Sequence, residues 1–106
     1  MELIDAVYDL TRNFPKEELF GLTSQMRRAA VSIAANIAEG SQRTTAKDFA
    51  NFILMAKGSL VELETELLVS QKQKLGNTEK TKTILEKTDE LGRMIHSFYK
   101  KLTCNP

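Results

Sequence analysis

Tryptophan is absent from this sequence, and its 106 residues include one cysteine, one histidine, two prolines and five glycines. A lone Cys104 builds no intrachain disulfide framework. Small secreted domains are ordinarily stapled, so the expected location is the cytoplasm. So few glycines and prolines do not supply the turns of an all-β sandwich or barrel. With His96 alone, and Cys104 distant from it, one chain assembles neither a zinc ligand set nor a Cys–His nucleophile pair. Glu62, Glu64 and Glu66 suggest a carboxylate-bridged metal, but a di-iron bundle needs Glu-x-x-His from each of two helices. No such motif is present: Glu90 and His96 do not have that spacing. There is no glycine-rich phosphate loop, no Gly-x-Ser-x-Gly elbow and no zinc-finger spacing. Gly40-Ser41-Gln42-Arg43 is at most a weak anion site. No stretch reaches the roughly 18 uninterrupted apolar residues of a membrane span. Met1–Asp5 also lacks the basic-then-apolar order of a signal peptide. The expectation is a protein that is not an enzyme, holds no metal or cofactor, and does not enter a membrane.

What is present is apolar periodicity. The chain is 42% hydrophobic and 27% charged with a net charge of +1, ordinary for one folded domain over residues 1–106. Leu3, Val7, Leu10 and Phe14 repeat at helical spacing until Asn13-Phe14-Pro15 stops the helix. Lys16 to Gly21 reads as a connector with room for one helical turn. A second helix is expected from about Thr23 to Glu39, capped by Thr23 or Ser24, with Gly40 just past its end. Its stripe is Leu22, Met26, Ala30, Ile33 and Ile37, flanked by small residues that let a neighbouring backbone approach closely. Thr45-Ala46-Lys47-Asp48 resembles a capping box. Behind it Phe49, Ile53, Ala56, Leu60, Leu63, Leu67 and Ser70 form a heptad seam that ends at Leu75-Gly76-Asn77. Ile84, Thr88, Leu91, Ile95, Phe98 and Leu102 continue the rhythm in a fourth segment. Short connections between long helices predict an all-α, antiparallel up-and-down four-helix bundle whose first helix is short.

The third segment carries a second stripe, in which Leu54, Val61, Leu68 and Leu75 recur every seven residues about 100° from the first. Leu85, Tyr99, Ile4 and Tyr8 are offset similarly elsewhere. One reading is a broad core face. The other is a face exposed in the single chain and buried against other subunits, with Gly58 admitting a close backbone. Leu54, Gly58, Val61, Leu68 and Glu62 are therefore candidate oligomer contacts. An antiparallel register about the Gln42–Arg43 turn sets Arg27 level with Gly58. That favours an ion pair from the Arg27–Arg28 pair to Glu62, within or between subunits. Asn36 and Glu39, in alanine-rich surroundings, suggest a polar packing network. Lysines gather near the third loop, with Arg12 and Lys16 expected at the same end. Arg27, Arg28, Arg43, Lys72, Lys74, Lys80 and Lys82 are accordingly candidate contacts to RNA or DNA phosphates.

Phe14-Pro15-Lys16-Glu17-Glu18, Gly21-Leu22-Thr23-Ser24-Gln25-Met26-Arg27-Arg28-Ala29-Ala30, Ser32-Ile33, Asn36-Ile37-Ala38-Glu39-Gly40 and Ala56 to Glu64 together resemble the four-helix-bundle family encoded in 23S rRNA intervening sequences. The resemblance implies an up-and-down bundle assembling as a ring-shaped homopentamer of poorly defined role, not an enzyme. The near-neutral charge favours protein–protein interaction or scaffolding as the work of such an oligomer. A related branch, the accessory variability proteins of diversity-generating retroelements, implies a second set of partners: nucleic acid and a reverse transcriptase. Two departures are visible. A lead-in with a tryptophan is missing, and the near-neutral charge is unlike a strongly basic retroelement surface. Arg27, Arg28, Asn36, Glu39, Gly58, Ser59 and Glu62 are carried over as signature positions of the resemblance.

Overall fold

Leu3, Val7, Leu10 and Phe14 all lie in the core, as their spacing requires. They anchor helix α1, Glu2–Thr11, in a computed structural model that describes residues 2–104. Pro15, with φ −56° and ψ 147°, cannot continue α1. The chain instead enters a 3-10 turn, Lys16–Glu18, and then a π-helical turn, Leu19–Thr23, bent at Gly21 (φ −112°, ψ −109°). Helix α2, Ser24–Gly40, grows directly out of that turn. Thr23 therefore has helical backbone angles and makes no capping hydrogen bond. The expected Thr23 cap is absent because a preceding helical turn already faces the first α2 amides; the Ser24 N–H, for one, donates to the Gly21 carbonyl.

Gly40 also departs from expectation. It is the last residue of α2, not the one past it, and it is buried. A Cβ there would lie 2.7 Å from the Phe52 Cβ and 2.8 Å from the Phe49 Cδ1. Glycine serves close approach at this point, not a left-handed turn. Helix α3, Ala46–Lys72, begins as its sequence says it should, with the Thr45 Oγ1 accepting the Asp48 N–H at 3.1 Å. Removing that acceptor with Thr45→Ala should cost about 1 kcal/mol, read as a lower urea midpoint with an unchanged slope.

The α3 C-terminus uses the six-residue return that satisfies orphan carbonyls: the Leu75 N–H donates to Ser70 O and the Lys74 N–H to Gln71 O. Lys74 takes the left-handed position, with φ 59°, where glycine is usual. Gly76 (φ 71°) turns the chain again directly beneath Phe14, where a Cβ would lie 2.7 Å from the ring. Asn77 then caps helix α4, Thr78–Thr103, its Oδ1 accepting the Lys80 N–H at 3.0 Å.

The helices form a four-helix bundle in which α2 packs on α3, α3 on α4, and α1 on both α2 and α4. The short turns between them are consistent with an antiparallel up-and-down course. Six of the seven α3 seam residues are buried, and Phe49, the seventh, is half-buried against Phe98 in an edge-to-face contact at 5.1 Å. At about 1.5 Å per residue α3 runs roughly 40 Å, and α1 less than half of that. The bundle is thus asymmetric, 50 × 22 × 19 Å.

Candidate functional site

The second stripe of α3 faces outward. Leu54, Val61 and Leu68 are 44%, 51% and 54% exposed, and Met55 and Val69 beside them are similarly open. The broad-core reading holds only at the edges: Leu75, Leu85, Ile4 and Tyr99 are partly buried against the core. It fails for Leu54, Val61 and Leu68 because the inner arc of α3 is already filled by its heptad seam. Gly58 lies in the middle of the outward face, and an added Cβ would meet nothing within 4 Å. No atom of the chain itself explains a glycine there.

The face of α2 on which Arg27 lies, rather than its level along the bundle, keeps it from Glu62. The Ser59 Oγ donates to the Ser32 Oγ at 2.9 Å, so α2 and α3 meet further along α3 than the level expected for Arg27 and Gly58. Arg27 turns the other way. Its Nε donates to the Thr11 Oγ1 at 2.9 Å, and its guanidinium lies 4.6 Å from the centre of the Tyr8 ring. It clamps α1 onto α2 and makes no ion pair with Glu62. Arg28 is exposed, and no ion pair joins it to Glu62 among the described residues. The expected polar network is present in part. The Asn36 Nδ2 donates to Ser32 O at 2.9 Å and to the Ser32 Oγ at 3.2 Å, linking Asn36, Ser32 and Ser59 across α2 and α3. Glu39 is outside it, exposed and paired with Arg43 at 2.8 Å.

The basic residues are partly spoken for. Arg43 pairs with Glu39 and lies over the Phe52 ring. Lys80 reaches Asp9 of α1 at 2.8 Å, and Arg12 lies 3.3 Å from the same carboxylate. The hydrogen bond and charge of Lys80, joined by Arg12, hold Asp9 below its ordinary value. Lys72, Lys74 and Lys82 are exposed at that end without an acidic partner among the described residues. His96 is exposed on α4, and no group of three His, Cys, Asp or Glu among the described residues is placed to hold a metal.

Three further features belong to the structure and were not expected from the sequence. Phe20, on the π-helical turn, is 93% exposed. It rims an open groove of about 610 Å³ with Tyr8, Leu19, Arg27, Arg28 and Val31. Thr23 lines the same groove, buried, with no hydrogen-bond partner for its hydroxyl. Glu66 is buried beside the α3 seam, and its Oε1 has no donor. Burial first, and then the charge of Glu62, pushes its carboxyl up from 4.5 to about 7. The signal for Glu66 was available, since it shares a heptad position with Ser59 on the flank that faces α2.

The model of the 23S rRNA-intervening sequence protein family matches residues 1–97. The chain belongs to that family. No curated protein matches it. A solved structure from Bacteroides thetaiotaomicron, described as a protein of unknown function from the S23 ribosomal protein family, superposes with a TM-score of 0.79 at 23% identity. The alignment covers 93% of this chain and 89% of that one, and what it shows is a shared fold. In this intervening-sequence family member the signature positions divide in two. Asn36, Ser59, Arg27 and Glu39 have partners within the chain. Gly58 faces solvent, as do Arg28 and Glu62, whose side chains have no ion-pair or hydrogen-bond partner among the described residues. Among the described residues no helix is long and apolar enough to cross a membrane.

Proposed function

We propose that this chain is a non-enzymatic subunit of a self-associating helical assembly in the cytoplasm, with protein–protein interaction or scaffolding as its work. The observation that carries this reading is the outward face of α3. Its residues Leu54, Met55, Val61, Leu68 and Val69 are all exposed, although α3 packs against both α2 and α4. A contiguous apolar helix face of this length is the mark of an interaction surface. The family resemblance gives the expected stoichiometry, a homopentameric ring. Light scattering after size exclusion at micromolar concentration should return five times the subunit mass. The double substitution Val61→Lys with Leu68→Lys should reduce it to one subunit while helicity by circular dichroism stays unchanged. A monomeric parent chain overturns the reading.

Binding to RNA or DNA, alone or beside a reverse transcriptase, is the second reading. It draws on Lys72, Lys74 and Lys82, exposed at one bundle end. A ring of such ends concentrates positive potential, and phosphate binding there would weaken steeply with salt. Gel shift on generic RNA and DNA at low salt tests it, and no retardation removes it.

A further inference from the structure

The outward face of α3 has a counterpart on the same molecule. Arg28, Val31, Ala35 and Ala38 recur at 3-4-3 spacing on α2, and all four are exposed. This is a second heptad seam, turned to solvent, in which small side chains at Ala35 and Ala38 follow Arg28 and Val31. The α3 face presents the opposite relief, with Leu54, Val61 and Leu68 projecting at seven-residue intervals over about 21 Å of helix. Large side chains on one seam and small ones on the other are what knobs-into-holes packing needs.

Charge distinguishes which seam meets which. Within the apolar α3 face the acid is Glu62, with the buried carboxyl of Glu66 next to it. Neither has a cation at ion-pair distance among the described residues. In the α2 groove the situation is reversed. Arg28 is exposed without an acid, Arg27 is held by neutral partners, and the buried Thr23 hydroxyl has no partner. An α3 face meeting another α3 face would gather carboxylates in an apolar contact, which is costly. An α3 face meeting the α2 groove of another copy neutralises both charges.

We infer that subunits associate head to tail, the outward face of α3 seating in the Tyr8–Phe20–Arg28 groove of the next copy so that Glu62 pairs with the neighbour's Arg28. The inference rests on the self-association proposed above and specifies its geometry. The contact is heterologous, using two different patches, so it propagates until the rotation closes. Phe20 covers one side of the seated helix, which accounts for a phenylalanine left open in the single chain.

The test is complementation by mixing. Arg28→Glu and Glu62→Arg, each alone, should weaken association at least about tenfold at low salt while helicity is retained. Mixing these two variants should restore association, because each supplies the surface the other lacks, with one mismatched contact left in a ring of five; putting both substitutions in one chain should restore every contact. An ion pair confined to a single chain could not be rescued by mixing. If the parent chain assembles but either single variant assembles as the parent does, or mixing rescues nothing, the Glu62–Arg28 geometry is wrong and self-association stands. If the parent chain is monomeric, both fall. Phe20→Ser provides an independent measurement: it should weaken association without lowering the stability of the dissociated chain, and unchanged association would overturn the groove as the seat.

Discussion

Replacing Glu66 with glutamine should stabilise the subunit at pH 8 and leave its stability at pH 4 nearly unchanged. Glu66 is 7% exposed, its Oε1 has no donor, and burial together with Glu62 raises its carboxyl from 4.5 to about 7. Above pH 4.5 the unfolded chain sheds this proton while the folded chain keeps it. Stability therefore falls as pH rises, until the folded group also ionises near 7, and is level beyond that point. At about 1.4 kcal/mol per pH unit, and allowing for the water that still reaches the group, the ionised carboxylate costs about 2 kcal/mol at pH 8. Glu66→Gln keeps the shape and removes the charge. Urea unfolding in the Val61→Lys, Leu68→Lys background, chosen to remove the proposed subunit contacts, should show a gain of that size at pH 8 that fades below pH 4.5. A gain that does not depend on pH would mean that packing, not ionisation, governs the site.

The helices were legible because burial in a bundle leaves a periodic trace. Leu3, Val7, Leu10 and Phe14, and six of the seven α3 seam residues, are buried as their spacing requires. The Thr45 cap was legible for a local reason, since the hydroxyl and the amide it serves are three residues apart. The direction of Arg27 was not. A turn says which positions of two helices are roughly level, but not which neighbour a flanking side chain takes, so Arg27 was expected near Glu62 and instead packs on Tyr8 and Thr11 of α1. The start of α2 was obscured because capping rules assume an unstructured approach, and a π-helical turn precedes it here. The second stripe could not be assigned from its own spacing either. Seven-residue periodicity says that Leu54, Val61 and Leu68 share a face, but only neighbours decide whether that face is covered. The apolar faces of the sequence outnumber those one bundle can bury, which turns an ordinary composition into an argument for assembly.

Two glycine-to-alanine substitutions should move stability in opposite directions, and the larger effect lies at Gly40. Alanine in place of a helical glycine ordinarily gains up to about 1 kcal/mol, because the unfolded chain loses freedom and the helix is better formed. Gly58→Ala should realise this gain in the dissociated subunit, since its new methyl meets nothing within 4 Å. Gly40→Ala should not. Its methyl would lie 2.7 Å from the Phe52 Cβ, an atom fixed to the α3 backbone that no rotamer can move aside. It would also press on Phe49, whose ring stands edge-to-face on Phe98 of α4, so yielding there disturbs a second helix contact. Overpacking of this kind costs 1–3 kcal/mol in general, which outweighs the propensity gain at the last residue of a helix and leaves a net loss of about 2 kcal/mol. Gly40→Leu should exceed about 3 kcal/mol, because the α2–α3 turn must open to admit it. For a chain of this length the melting temperature should fall by about 4 °C or more for each kcal/mol lost. Unfolding is best followed in the same Val61→Lys, Leu68→Lys background, so that association does not enter the midpoint. A Gly40→Ala chain that is as stable as its parent would mean that α2 and α3 separate freely at their turn, and that Gly40 is not the close contact holding them together.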